Sequence, residues 1–326
     1  PHVKDEFERF PAQESLAFQH KFLDKPIIDI WAYKFKKILL EKFPNCEDEV
    51  NNAQRKFQFI STIDVDIAYS YKHKGFIRTV GGVLNDLIHF KLKDVLYRFL
   101  VIFNIKKDPF DTFDELIKLK KEYNINTLFF FLLSEYTTFD KNISSGNINY
   151  KLLIKDIADY TDVGIHPSYF SMKNESKIKT EKKRLENIVN FPITKSRQHY
   201  LRMELPETYQ NLVDLEIKED YTMGYASHYG FRASTCTPFY FYDLDFEIQI
   251  PLKIFPFAVM DGTLKDYLNF TPKKSFNIMV QLAEEVKKVN GTFITLFHNE
   301  SVSGIGRWRG WNKVYENLLK ELSKSN

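Results

Sequence analysis

Cysteine is nearly missing from this sequence: Cys46 and Cys236 are the two in 326 residues. So far apart, they build neither a disulfide framework nor a zinc knuckle. Long apolar runs are missing as well. None approaches the ~20 residues of a membrane-spanning helix, and the longest candidate, "NTLFFFLL" (126–133), reads as a buried strand. Charge of one sign is also lacking. The net charge is +3 and evenly spread, which gives no ground for a nucleic-acid partner. There is no internal repeat and no low-complexity tract. Pro1 is neither an initiator Met nor the head of a signal-like segment, so the chain is expected to be cut from a longer protein.

What is present is a large stock of core-forming residues. Hydrophobic residues make up 44% and aromatics 16%, with 30 Phe and 18 Tyr. A chain of this length and composition can bury a sizeable core. Tyr- and Trp-rich loops also suit stacking on sugar rings. Along the chain, strand-like and helix-like patterns alternate. Strands are expected at 56–63, 126–133, 162–166, 197–203 and 292–297. Helices are expected at 111–123, 148–160, 175–190, 206–215, 276–290 and 309–323. Thr112 and Glu115 have capping-box spacing, and Gly291 is expected to end the helix before it. The stretches 83–103 and 251–273 read as mixed helix and loop, and as loop. Such alternation with wholly apolar strands predicts an α/β fold with a parallel sheet covered on both faces. About seven units fit a closed barrel better than an open sheet. Residues 1–55 stand outside the alternation and are expected to lie against the outside of a barrel formed by 56–326.

The polar residues gather where strands end. The first strand runs into Asp64 and Asp66, whose side chains share one face of an extended chain. Two like charges side by side call for a metal ion, a shared proton or a basic partner; the alternative is a solvated acidic turn. His166 follows the short strand 162–165, and His298 follows 292–297. His199 and Arg202 lie on 197–203. Arg232 comes in "GFRASTC", and Trp308 in "GIGRWRG". In barrels, the C-terminal strand ends converge on one face, and chemistry sits there. Three histidines and two aspartates suit a divalent metal with N and O ligands plus an acid–base pair. His2, His20, His73, His89 and His228 read as ordinary hydrogen-bonding histidines. Trp311 reads as packing.

In this order the motifs resemble the polysaccharide deacetylase family, carbohydrate esterase family 4, over about 56–300. Thr62-Ile63-Asp64-Val65-Asp66 stands where the family has Thr-Phe-Asp-Asp-Gly. "HPSYF" (166–170) stands at its His-Ser/Thr-x-x-His, "RQHYLRMELPETY" at its Arg-containing third motif, and "TLFHN" at its Leu-x-His. "RQHYLR", "DYTMGYA" and "GFRASTCTPF" look like a divergent bacterial branch. The resemblance implies a distorted (β/α)7-type barrel that removes acetyl groups from a carbohydrate polymer or oligosaccharide, in the bacterial cytoplasm or cell envelope. It implies Asp64 as base, His298 as acid, and Asp66 and His166 as ligands of a divalent metal, zinc by ligand type. Phe170 replaces the family's second motif histidine, and His199 is expected to complete the site. Strand alternation then places Arg197 and Leu201 inward with His199, and turns Tyr200 and Arg202 toward the helices. Arg197, Arg202, Arg232 and Trp308 are the expected contacts to an acetylated carbohydrate. Two other readings stay open: a catalytically silent barrel that binds carbohydrate, which Phe170 favours, and a metal-dependent amidohydrolase acting on a small amide.

Overall fold

The computed structural model describes residues 3–46 and 55–324. His2 and residues 47–54 of the N-terminal extension lie outside the described residues, as does the side chain of Cys46. The described fold is mixed α/β, built on one nine-stranded sheet. Its strands are β1 (Gln58–Val65), β2 (Asn126–Phe131), β3 (Asp162–Ile165), β4 (Lys195–Ser196), β5 (Glu219–Asp220), β6 (Phe239–Asp243), β7 (Ile248–Ile254), β8 (Val259–Met260) and β9 (Thr292–His298). They lie in the order β6-β7-β5-β4-β3-β2-β1-β9-β8. All pairings are parallel except the β6–β7 hairpin.

The run 248–260 brings the two sides of the sheet together. Its first part, β7, pairs with β5, and its last part, β8, pairs with β9. Between them, Phe257 N donates to Met223 O (3.1 Å), and Ala258 N donates to Ile294 O (2.9 Å). The ladder thus comes round on itself, with β6 outside it, paired to β7 alone.

Two-residue periodicity then sorts the side chains. On β1, Phe59, Ile63 and Val65 join the layer under the helices, while Ile60 turns inward to Leu128, Phe130, Ile294 and Leu296. Thr62 and Asp64 continue that inner row. The interior is crowded: a Cβ on Gly164 would sit 2.6 Å from the Phe130 ring. Both faces of β1 are buried, as for parallel strands clad on both sides. On the outer layer, the helix Trp311–Ser323 buries Trp311, Val314, Tyr315, Leu318 and Leu322, the expected stripe.

Several local expectations are corrected. Thr112 precedes the helix Phe113–Tyr123 without capping it; its hydroxyl donates instead to Asn299 O (2.9 Å). The helix Pro272–Lys287 stops four residues before Gly291, and left-handed Asn290 makes the turn (φ 46°). The stretch 83–103 is helix and loop as expected: it holds parts of two helices, Phe76–Ile88 and Leu92–Ile102, and the turn between them. The stretch 251–273 holds most of β7, then β8 and a π-helical turn at Thr263–Tyr267.

The N-terminal segment is clasped against strand-connecting loops. Phe231 N donates to Leu23 O (2.7 Å), and Ile28 N donates to Ser234 O (3.0 Å). Gly230 makes this approach possible. Its φ is +123°, and a Cβ there would collide with Leu23 O. Asp29 accepts from Thr235 Oγ1 (2.7 Å), Cys236 N (2.9 Å) and Thr237 Oγ1.

A candidate metal centre at the strand ends

The inner row of β1 ends at Asp64, and the chain carries Asp66 one step further. β9 lies in register beside it, with Asp64 opposite His298. β3 delivers His166 just past Ile165. These residues line a cavity of about 280 Å³, at the small end of ligand sites.

His199 arrives by a different route from the one expected. The stretch 197–203 is not a strand: β4 ends at Ser196, and a 3-10 turn follows at His199–Leu201. Tyr200 and Leu201 both adopt left-handed backbone, φ 59° and 57°. This turn swings His199, Tyr200 and Leu201 together onto the cavity wall, which strict alternation would forbid.

Each of the three imidazoles has its Nδ1 tied behind it. His166 Nδ1 meets Arg197 O at 2.5 Å. His199 Nδ1 meets Asp140 Oδ1 at 2.8 Å, and His298 Nδ1 meets Asp261 Oδ1 at 2.8 Å. The three Nε2 atoms therefore face inward, at 3.2, 3.5 and 3.6 Å from the Asp66 carboxylate. Asp140 also accepts from Tyr169 N (2.9 Å), which pins the loop after His166. Glu181 pins the same loop through Ser168 N (2.9 Å) and Ser168 Oγ (2.6 Å).

These contacts reshape proton affinities. Burial would raise the Asp66 pKa, but His199 and His166 hold it well below the ordinary carboxylate value. Burial would lower His199, but Asp66 and Asp140 push it up to about 9. Likewise, burial is outweighed at His298, where Asp261 and Asp66 push the imidazole well above its usual value. The centre attracts positive charge.

The donor set fits a divalent metal ion. Asp66, His166 and His199 each offer one ligand atom, and the three atoms lie within 4.8 Å of one another. Two donors each ~2.0–2.2 Å from one ion are at most about 4.4 Å apart, and both Nε2–carboxylate distances are shorter than that. Asp66 Oδ1 is buried without a hydrogen-bond partner, an orphan acceptor that an ion would satisfy. One carboxylate and two imidazoles form the three-ligand set of open zinc sites, and Nδ1 bonds to carboxylate and carbonyl are the usual way of orienting such ligands. Phe170 stands apart, half-exposed and packed edge-on to Phe139.

Asp64 is 2% exposed. Its Oδ1 accepts from Arg197 Nη1 (2.8 Å), and the same Nη1 reaches Thr62 Oγ1 (2.7 Å). Arg197 is fully buried behind Asp64, which corrects its reading as a sugar contact: it fixes a carboxylate. Arg202 also leaves the cavity. It lies on the Tyr169 ring (3.9 Å) and donates to Phe7 O, binding the N-terminal segment, where a helix-facing position was expected. Arg232 donates to Gly224 O and sits by Tyr225, linking loops. Trp308 lines the cavity but is 2% exposed, edge-on to Trp311 and under Arg307. Without a free face it is a wall and not a stacking platform. His73, His89 and His228 bond to Asn149, Asn85 O and Ser227.

Sequence reading missed Asp140 and Asp261. Asp261 had a signal, since it directly follows the apolar run "FAVM" as the other site residues follow theirs. Asp140 had none, lying seven residues beyond the apolar stretch 126–133. Arg9 was missed too: it reaches the cavity wall from the N-terminal segment, held by Asp5 (2.7 Å) and Tyr267 Oη (3.2 Å).

Comparison with known proteins agrees with this architecture. Residues 1–44 match the model of a family of unknown function, DUF7033. No curated protein matches the chain. Among solved structures, a Mycobacterium smegmatis protein assigned to the polysaccharide deacetylases superposes with a TM-score of 0.52 at 13% identity, over 82% of this chain and 84% of that one. A CE4 family pseudoenzyme from Bacillus anthracis gives a TM-score of 0.42 at 11% identity, over 82% of this chain and 61% of that one. The polysaccharide deacetylase Bc1974 from Bacillus cereus gives 0.38 at 12%, over 82% and 88%. The last two scores are too low to add weight. At such identities likeness speaks of architecture alone, and the architecture of this chain is the polysaccharide deacetylase fold.

Proposed function

We propose that this protein is a metal-dependent hydrolase that removes acetyl groups from a carbohydrate polymer or oligosaccharide. The observation that carries the reading is the convergence of three back-tied imidazoles on the Asp66 carboxylate, at 3.2–3.6 Å. Asp66, His166 and His199 would hold the ion, with zinc favoured by the N and O ligands. When bound, a divalent cation supplies Lewis-acid polarisation of the acetyl carbonyl and lowers the pKa of water.

The chain's own residues account for the proton traffic. Hydrolysis adds water across the acetyl C–N or C–O bond. Asp64, fixed at Oδ1 by Arg197, accepts a proton from the attacking water. His298, fixed at Nδ1 by Asp261, delivers a proton from Nε2 to the departing nitrogen or oxygen. Acetate and a free amine or hydroxyl result. The two groups sit side by side on neighbouring strands, so both reach one reacting carbon. Arg9, Lys141, Tyr200 and Tyr267 at the cavity wall are candidate sugar contacts. We read residues 1–55 as an extension clasped on the barrel 56–326, and Arg9 makes that extension part of the site.

The silent-barrel reading rested on Phe170. His199 weakens it by offering a nitrogen 3.5 Å from Asp66. Metal analysis with an acetate-release assay on N-acetylated chito-oligosaccharides and acetylated xylan tests the proposal. Near one zinc-class ion per chain, and acetate release that stops on chelation, are expected. An ion-free protein that binds these glycans without releasing acetate would establish the silent barrel instead.

A further inference from the structure

Between β1 and β2 the chain inserts a helical hairpin, Phe76–Ile88 and Leu92–Ile102, that inverts the usual rule of burial. Its two helices enclose a charged pair: Asp86 and Arg98 are each 8% exposed and lie 2.5 Å apart. A Cβ on Gly82 would sit 2.6 Å from Arg98 Nη1, so the glycine makes room for the guanidinium. The apolar residues face outward instead. On the first helix, Ile77, Val80, Leu84 and Ile88 form an exposed stripe at helical spacing, with Ile77 85% exposed. On the second, Leu92, Leu96, Phe99 and Phe103 form another. Phe90, at the tip, is 90% exposed. Exposed apolar stripes of this extent on one hairpin mark an interaction surface.

Charge selects the partner. The charge is not spread as evenly as expected: from Lys72 to Lys107 there are eight Lys or Arg and two Asp, a net +6, against +3 for the whole chain. Lys91, Lys93 and Lys106 are exposed beside the apolar stripes. Two copies of such a face would bring like charges together, whereas an anionic bilayer complements it. At 1.5 Å per residue these helices are about 20 and 16 Å long, shorter than the ~30 Å hydrocarbon core. Among the described residues, no helix is long and apolar enough to cross a membrane. An apolar face flanked by lysines, on helices too short to span, suits lying in the headgroup region.

We propose that the 76–102 hairpin docks this protein on an anionic lipid surface by burying these stripes among the headgroups. The geometry places the cavity beside that surface. The chain enters the hairpin at Phe76, after a nine-residue loop that follows Asp66, and Arg78 fixes it to the body through Lys141 O (2.8 Å) and Asn142 O (2.9 Å). Lys141 lines the cavity.

The test is flotation of the whole chain with vesicles of phosphatidylcholine and phosphatidylglycerol in equal parts, against phosphatidylcholine alone. Binding to the anionic vesicles, falling as salt rises, is expected. The triple change I77S/L84S/F90S and, separately, K91E/K93E/K106E should each weaken binding ~10-fold or more. Both sets lie on exposed positions, so circular dichroism and activity on a soluble substrate should stay unchanged. Absence of binding to anionic vesicles would overturn the proposal, and so would binding that ignores both triple changes. A dimer in sedimentation velocity that I77S/L84S/F90S abolishes, without vesicle binding, would overturn it in favour of self-association.

Discussion

In the cavity, Asp64 is held by Arg197 from 133 residues away, and every histidine is held by a group from another element. In the hairpin, Asp86 meets Arg98 only twelve residues further on, and its apolar side chains meet little of the protein. Both places bury an ion pair, yet for different ends. The cavity pair is embedded in the fold, with Phe130, Tyr221 and Phe257 around the guanidinium. The hairpin pair joins two helices to each other. A defect in the first should therefore spread through the site and the core, while a defect in the second should stay local.

The largest expected effect lies in the cavity. Asp66→Ala should abolish metal binding, read as ions per chain after gel filtration, together with acetate release. Asp64→Asn and His298→Ala should lower turnover ~10²–10⁴-fold, the usual worth of one acid–base group, with metal content unchanged for His298→Ala. Turnover that survives His298→Ala would remove it from the reaction.

The two ion pairs can then be compared directly. Arg197→Met leaves Asp64 and Thr62 buried without their shared donor, and a buried charge stripped of its partner costs about 3–5 kcal/mol. Replacing Asp86 and Arg98 together by leucines removes both charges at once, which is often neutral or stabilising. Urea midpoints should thus drop sharply for the first and change little for the second. Equal losses would show that the hairpin is as embedded as the cavity.

How much of this was legible in the sequence depends on how long each element is. His166 and His298 were visible because apolar strands of four and seven residues point at them. β4, β5 and β8 have two residues each, too few for any period to show. Hence 197–203 read as a strand, and Asp261 stayed inside a supposed loop. The left-handed pair Tyr200–Leu201 carries neither Gly nor Asn, the residues that announce such backbone. His199 was therefore singled out from its place on a strand that does not form, while the turn that delivers it went unseen. Of the hairpin, the sequence displays apolar residues at helical spacing, a pattern that normally means core; only the exposures reveal that it faces outward.

A smaller effect is expected behind the ligands. Asp140→Asn keeps the shape but weakens the acceptor for His199 Nδ1 and Tyr169 N. Changes of this kind typically cost 10–100-fold in metal affinity or activity. Competition with a chromogenic chelator measures it. Asp261→Asn should instead lower turnover and spare metal affinity, since His298 is not among the three proposed ligands. If both variants lose affinity equally, His298 is a ligand.

A milder loss is expected at the clasp of the N-terminal segment, a third way of using a buried carboxylate: here most donors are neutral, with Arg55 Nη2 at 3.5 Å beside them. Asp29 accepts from Thr235 Oγ1, Cys236 N and Thr237 Oγ1. Asp29→Ala leaves these donors without their acceptor, at a cost of about 1–3 kcal/mol. Burial would raise the Asp29 pKa, but the Thr237 and Thr235 hydroxyls and the Cys236 amide lower it below its ordinary value. A folded pKa below the unfolded ~3.9 means that the contribution is complete above that value and fades as pH falls through the folded one. Urea midpoints of the two proteins should therefore differ by a constant amount from neutral pH down to about 5, and converge in stronger acid. A gap that stays constant at pH about 3 would mean that Asp29 acts through shape and not through its charge.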